Sequence, residues 1–430
     1  MSIIDKLGKF NEEKIAPPLV KLSENPYLVA IRDGVAATMP FFVIGSIFLL
    51  VVFFPVPSWE DFIDPYMDTI LDLYRMTMGI VSIYATIAIA YNLSKQRKVN
   101  MLTGSLMSLM VFLFLAAPLV DDNLPARYLA AEGLFTAIIS SIFSIEFLRF
   151  LTKRKITIRM PKGVPPAVAA SFESLIPMFL LLLVVWVIRT ILHIDVPGVI
   201  LKLFSPLVVA VDSIIAPVVL SFVEMALWSA GIHGAAVIET GILNPFLLQN
   251  LAANQTALMA GDPMPYIFVP PFADFYMTIG GGGAMLAIPF MLFRAKSKRL
   301  RRLGGLSIVP AIFGINEPLL FGMPMVLNPL FLIPMMLAMA VTGVIAYIVT
   351  MIGMVSRMSL SLPWSTPAPI GAYLATGGDI RAGILSVILA VIAGLIYLPF
   401  LRIYDKKLTA DENAAEEDTV QENTVQESDT

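Results

Sequence analysis

The sequence predicts an all-α polytopic membrane protein with about ten transmembrane helices and re-entrant hairpins in its second half. Composition is the first reason: of 430 residues, 57% are hydrophobic and 14% charged, with a mean hydropathy of +0.82, whereas soluble domains carry about 25% charged residues. Length is the second, because several apolar runs reach the ~20 residues that cross a bilayer as a helix rather than the ~10-residue alternation of a barrel strand. The third is punctuation: glycine and proline interrupt the second half and leave the spans of the first half uniform.

The N-terminal segment 1–28 is charged and amphipathic and lacks the basic stretch and apolar core of a cleavable signal, so it is expected in the cytoplasm or at the interface. Apolar spans follow near 34–54, 73–93, 101–120, 128–151, 168–192, 271–293, 328–355 and 380–403, with a mixed region between 196 and 260. Basic clusters at 95–98, 153–162, 294–302 and 402–407 belong to the cytoplasm by the positive-inside rule. Both termini are then cytoplasmic and the number of crossings is even: ten, with eight as the alternative. Residues 29–195 read as a scaffold and oligomerisation half. Residues 196–404 read as a substrate-binding half, with 229–255, 303–324 and 357–378 as candidates for re-entrant segments, because backbone freed from helix geometry survives at membrane depth only inside protein or against a wet cavity. The formal charge of −3 hides an asymmetry: nine acids and two lysines give 405–430 a charge of −7 and leave +4 on the rest. That tail lacks apolar periodicity and is expected to be disordered. The absence of cysteine excludes disulfides, thiolate metal sites and cysteine nucleophiles.

Within Phe313-Gly314-Ile315-Asn316-Glu317-Pro318, Glu317 is the only acidic or basic side chain between 303 and 347. A charge at membrane depth costs at least ~2.5–3 kcal/mol and normally faces a protein-lined cavity, so Glu317 is the first candidate for function, expected to be buried and able to accept a proton. Asn316 adds a donor and an acceptor suited to a neutral hydroxylated ligand. His233, one of two histidines, lies in Gly231-Ile232-His233-Gly234, where glycines allow close approach to a ligand. We read Glu317 and His233 as two halves of one site. Trp228 and Trp364 offer aromatic faces for the apolar side of a sugar ring, against the alternative of an interfacial belt. Glu239 follows His233 in the same broken segment and is a further candidate for binding substrate, and Glu173, Asp212, Glu224 and Asp274 are other acids able to line a cavity. Arg32-Asp33 and Glu146 with Arg149 read as local ion pairs, and His193 as interfacial. No His/Asp/Glu cluster has metal-ligand spacing, and the Gly280-Gly281-Gly282-Gly283 run lacks the strand–turn–helix setting of a phosphate loop, so no metal or nucleotide cofactor is expected.

The pairing of GIHG at 231–234 with FGINEP at 313–318, the five-span front half and LPWSTPAPIGAYLATGGD resemble the membrane IIC subunits of the bacterial phosphoenolpyruvate:sugar phosphotransferase system, lactose/cellobiose/diacetylchitobiose branch. The similarity runs over residues 1–404. It implies a homodimeric, ten-span, multi-pass protein of the bacterial inner membrane with two re-entrant hairpins, importing a β-linked disaccharide that is phosphorylated on a 6-hydroxyl. Carried onto this chain, Glu317 would bind that hydroxyl and take its proton, and His233 would hydrogen-bond the same end of the sugar and steady the incoming phosphoryl group. Gly234, Asn316, Trp228 and Trp364 would frame the rings. The phosphoryl group would come from a phosphocysteine on a separate IIB subunit, with Arg97, Lys98 and the 294–302 loop as its docking surface. The rival from the residues alone is a proton- or sodium-coupled secondary transporter using Glu317 as its ion site.

Overall fold

A computed structural model of the chain describes residues 24–428 except 55, 57, 119–124, 159, 162, 230, 324 and 326–327, together with 17, 18 and 21. The expected interfacial segment 1–28 therefore lies almost wholly outside the described residues. Among these the secondary structure is helical throughout, with no strand. Six helices are long and apolar enough to cross a membrane: Pro26–Val52, Asp61–Arg97, Ala131–Lys153, Phe172–Ile191, Leu330–Met351 and Ile380–Ala414. The pair Val196–Val211 and Ala216–Trp228, bent by 82°, makes a seventh if taken as one span. Against the expected ten crossings, six are single long helices among the described residues, or seven spans if the bent pair counts as one.

The front half packs around α1 (Val81–Arg97), with α2 (Met101–Ala116) and α3 (Leu134–Lys153) against it. Small residues let these backbones approach, as membrane helix packing requires. A Cβ on Gly34 would lie 2.6 Å from the Ile89 backbone nitrogen. Ser141 donates to the Thr86 carbonyl at 3.2 Å and Ser105 to that of Ile87 at 3.3 Å. The expected local pairs form: Arg32 with Asp33 at 2.8 Å and Arg149 with Glu146 at 3.1 Å.

The expected span at 271–293 is not one helix. It breaks into Pro270–Phe272, a π-turn Ala273–Met277, tight turns through the glycine run, and Ala287–Leu292. Gly280, Gly281 and Gly283 have positive φ, so the run reverses direction where a helix would continue. The predicted re-entrant stretches are likewise short helices joined by turns: Gly234–Val237 before α4 (Asn244–Ala260), α5 (Lys298–Ile312) before α6 (Glu317–Gly322), and an extended run before Ala368–Ala375.

Polar side chains fasten the irregular backbone. Asn254, fully buried on α4, donates to the carbonyls of Tyr266 and Met358, each at 2.8 Å, and accepts from the Tyr266 N–H at 2.9 Å. Gln255 beside it donates to Ser46 at 3.0 Å and accepts from Tyr74 at 3.2 Å, while Ser46 also accepts the Ser361 N–H at 2.8 Å. This relay joins the two halves. Asp212, one of the acids able to line a cavity, is instead engaged by the N–H groups of Ile267 and Phe268 at 3.0 and 2.6 Å. Asp379 fixes the start of the last helix to Ser356. Burial opposes its ionisation, but bonds from Arg381 and the Ser356 N–H outweigh that and hold its carboxyl at about 2.

The last helix, α7, runs Ile380–Ser428, so the tail expected to be disordered from 405 continues as helix. The reason lies in its acids. Asp405 accepts the N–H groups of Lys296 and Ser297, both at 2.9 Å, and Glu412 accepts those of Lys298 and Arg299 at 2.9 and 3.1 Å and the Ser297 hydroxyl at 2.6 Å. The first turn of α5 leaves donors without intrahelical partners and carries positive dipole charge, and these carboxylates satisfy both.

Asn254→Ala strands three backbone groups, each costing about 1–3 kcal/mol when buried unpaired. It is expected to lower the melting temperature of the detergent-purified protein clearly. Asn92→Ala, which removes one bond to its own helix at Ala88, should leave it nearly unchanged.

Candidate functional site

The two motifs singled out in the sequence use one backbone device. Helix α8 (Ala216–Ser229) ends with Gly231 at φ 81; the Gly231 N–H donates to the Trp228 carbonyl at 3.0 Å and the Ile232 N–H to that of Leu227 at 2.9 Å. Helix α5 ends with Gly314 at φ 76; its N–H donates to the Ala311 carbonyl at 3.1 Å and that of Ile315 to Pro310 at 2.9 Å. Both are left-handed glycine terminations of the Schellman type. Each is followed by isoleucine and then by a polar residue that opens the next short helix: His233 before Gly234–Val237, Asn316 before α6. Gly-Ile-His and Gly-Ile-Asn are therefore equivalent places in two broken helices.

His233 caps its short helix with its own ring, Nδ1 accepting the Ala236 N–H at 3.2 Å. That bond requires an unprotonated Nδ1, so in the neutral imidazole Nε2 carries the hydrogen and faces outward as a donor. The ring lies 4.4 Å from that of Trp228, inclined at 50°. Gly234 admits no side chain: a Cβ would lie 2.7 Å from the carbonyl carbon of Glu224.

Asn316 behaves differently. It is 5% exposed and makes no capping bond. Its Nδ2 donates instead to the Gly282 carbonyl at 2.7 Å, and Tyr397 donates to the next carbonyl, Gly283, also at 2.7 Å. A Cβ on Gly281 would meet Asn316 Cγ at 2.5 Å, and one on Gly282 would lie 3.5 Å from Trp228 Nε1 and 3.9 Å from Asn316 Nδ2. The glycine run is thus the spacer between the two motifs. The sequence shows only that this run is no phosphate loop, and the part played by the Tyr397 hydroxyl on α7 was not legible at all.

Glu317 corrects an expectation. It is exposed, whereas Asn316 beside it is buried. As first residue of α6, with its neighbour turned inward, it points to open space, which suits a ligand-facing carboxylate in a wet cavity. Trp364 is exposed too, and its ring and carbonyl flank Gly314, 3.4–3.8 Å from where a Cβ would stand. Trp228 and Asn316 therefore meet at the glycine run, with His233 against Trp228, while Trp364 lies against Gly314, three residues before Glu317. Glu239 opens the π-turn Glu239–Leu243, with the charges of Glu224 and Asp274 as neighbours.

The docking residues divide. Arg97 is engaged by Glu146 at 2.6 Å and lies 4.4 Å over the Tyr27 ring, so it serves the front-half scaffold. Lys98 is exposed at the left-handed end of α1. Among the described residues no group of three His, Cys, Asp or Glu is arranged to hold a metal ion.

Broken, glycine-hinged helices bearing polar and aromatic side chains, carried by a bundle of long apolar helices, mark a multi-pass membrane protein. Residues 32–338 match the phosphotransferase system EIIC family, and the chain belongs to it. It is 37% identical to the "PTS system cellobiose-specific EIIC component" of Geobacillus stearothermophilus over 96% of this chain and 97% of that one. The "Lichenan permease IIC component" of Bacillus subtilis (strain 168) is 34% identical over 95% and 96%. The "PTS system lactose-specific EIICB component" of Staphylococcus aureus (strain COL) is 38% identical, over 93% of this chain and 72% of that longer one. Among solved structures, the transporter ChbC, the IIC component from the N,N'-diacetylchitobiose-specific phosphotransferase system, superposes with a TM-score of 0.88 at 37% identity, covering 94% of this chain and 99% of that one.

Gly281→Ala would set a Cβ against Asn316 at φ 101, while Gly261→Ala at φ 72 meets nothing within 4 Å. The first is expected to lower the melting temperature well beyond the second, whose cost is the left-handed backbone alone, about 1–2 kcal/mol. Thermal unfolding in detergent checks the order.

Proposed function

We propose that this chain is the sugar-translocating IIC subunit of a phosphotransferase permease. It imports a β-linked disaccharide of the cellobiose or N,N'-diacetylchitobiose type, which is phosphorylated on a 6-hydroxyl. The observation that carries this is the meeting of Trp228 and Asn316 at the glycine run, with the His233 ring against Trp228 and the Glu317 carboxylate exposed beside Asn316. The substrate class is supported by the names of the relatives in the cellobiose, lichenan, lactose and diacetylchitobiose systems.

In this reading Trp228 and Trp364 take the apolar faces of the rings, Gly234 lets the backbone approach, and Asn316 holds the wall. Glu317 accepts the hydrogen bond of the 6-hydroxyl and takes its proton as O6 attacks phosphorus. The P–O6 bond forms as the P–S bond to a partner's cysteine breaks, and the sulfur leaves as thiolate. His233 Nε2–H donates to the oxygens on which charge gathers. Phosphoryl transfer needs mainly positioning and charge stabilisation around an in-line geometry, plus a proton acceptor, and these groups supply both. The phosphocysteine belongs to a IIB component, since none of these 430 residues is a cysteine, and the lactose-specific relative is named as an EIICB component.

Docking falls to Lys98 and the 294–302 loop. A cleft of about 450 Å³ adjoins that loop, lined by Lys298, Arg299, Arg302, Leu303, Leu306 and Gly322 and by Glu412 of the last helix. It opens at the far end of α6, whose six residues span about 9 Å from Glu317. Both termini are cytoplasmic, ten segments cross the membrane, and the chain acts as a homodimer through residues 29–195.

Glu317→Gln should retain disaccharide binding within about tenfold and lose phosphorylation by roughly 10²-fold or more. His233→Ala should weaken binding itself, with loss of about 1 kcal/mol or more for one hydrogen bond and its ring contact. Vesicles supplied with phosphoenolpyruvate and the soluble carriers check both. Uptake driven by an ion gradient without those carriers would establish the secondary transporter instead.

A further inference from the structure

Three acids behind the proposed sugar site take no part in that scheme. Glu224, one helical turn before Trp228 on α8, is fully buried, and neither of its carboxylate oxygens has a hydrogen-bond partner. Glu239, in the π-turn Glu239–Leu243, and Asp274, in the π-turn Ala273–Met277, are both half-buried and near enough for their charges to act on Glu224. Glu239 acts on Asp274 as well.

One cation borders them: the Arg32 side chain lies 3.8 Å from where a Cβ on Gly241 would stand, in the turn that Glu239 opens, and its guanidinium is engaged by Asp33. The helix Pro329–Met351, packed on α8, brings Tyr347, whose hydroxyl donates to the Asp212 carbonyl. The segment after α8 brings His233, whose Nδ1 is held by the Ala236 N–H. The turn carrying Asp274 adds Tyr276, an uncharged phenol. The helix Pro26–Ala36, beside the Glu239 turn, brings Arg32 and Asp33, which pair with each other. Among the described residues no Lys or Arg forms an ion pair with any of the three acids. Nor do they form a metal-holding group. An ionised carboxylate sealed from water without a partner costs several kcal/mol, and two more beside it repel it further. A proton is the ligand that removes both costs.

We infer that Glu224, Glu239 and Asp274 form a proton-binding site that is loaded in the arrangement described here and empties when Glu224 is opened to water. The site is mechanically joined to the sugar site. The backbone of Glu224 packs directly on Gly234, and Trp228 sits on the same helix face one turn on. Glu224 is sealed with Trp228 and His233 in the arrangement described, so a movement that opens this segment would expose it, and exposure favours the ionised acid. The sign follows by linkage: the assembled form binds more protons than the opened one, so acid favours it and sugar affinity falls as pH rises. The limit is about tenfold per pH unit for each coupled proton. The coupling rests on reading Trp228 and His233 as a sugar site; the proton site itself does not.

Two measurements test it on the full-length protein in detergent. Infrared spectra at neutral pH should carry the carbonyl band of a buried carboxylic acid, and Glu224→Gln should remove or shift it. Calorimetric titration with cellobiose in two buffers of different ionisation enthalpy should register proton uptake on binding by the wild type and less by Glu224→Gln. Across a pH series that variant should also bind with a shallower pH dependence. If Glu224→Gln does not purify folded, Asp274→Asn takes its place. An unchanged infrared band overturns the proton site. An unchanged proton count and pH slope overturn the coupling, and loss of sugar at every pH by a folded Glu224→Gln would make Glu224 a direct sugar ligand instead. A wild type that binds no disaccharide but shows the band would reject the sugar reading and keep the proton site.

Discussion

The bond from Asn316 to the Gly282 carbonyl is the constraint on which the rest of the site depends. It joins a turn late in the chain to a glycine run that also abuts Trp228, and through Trp228 it reaches His233. A side-chain amide is spent on a backbone carbonyl that no helix can satisfy. In an apolar bundle that carbonyl would otherwise cost several kcal/mol. The same logic recurs wherever the second half departs from helix: Tyr397 serves Gly283, Asn254 serves Tyr266 and Met358, and Asp212 serves Ile267 and Phe268. The chain breaks its helices to make a site, and the breaks are closed by backbone bonds at Gly231 and Gly314 and by buried polar side chains elsewhere.

The two glycine terminations explain why the site residues occur in pairs separated by some eighty positions. A helix ended by a left-handed glycine directs the following residues away from its axis, and the next polar residue starts a new helix. Used twice, the device points His233 and Glu317 away from their helices while leaving their backbones hydrogen-bonded. Glu317 is open because Asn316 turns inward, so the pair divides the labour of wall and reactive group.

Much of this was legible in the sequence. The membrane class follows from composition, the distinction between a regular front half and a broken second half from glycine and proline, and His233, Glu317, Asn316 and the two tryptophans from polar groups in apolar surroundings. What sequence reasoning misjudged has physical causes. The run 271–293 is apolar enough to span, but periodicity does not register that three glycines take positive φ. Glu317 reads as buried because its neighbours in sequence are apolar, whereas exposure is decided by which way the turn faces. Residues 405–414 read as a solvated tail because their acids have no local partners; their partners are N–H groups more than a hundred residues away. Long-range pairing of polar groups is what one sequence conceals.

The central claim is that the 228–234 and 314–317 segments act as one binding site. A double-mutant cycle on cellobiose affinity, measured calorimetrically for His233→Ala, Asn316→Ala and the double variant, tests it most directly. A single site held together through the glycine run predicts a coupling energy of at least about 0.5–1 kcal/mol, with the double variant losing less than the sum of the singles. Losses that add within about 0.3 kcal/mol would contradict it and leave two independent segments in place of one site.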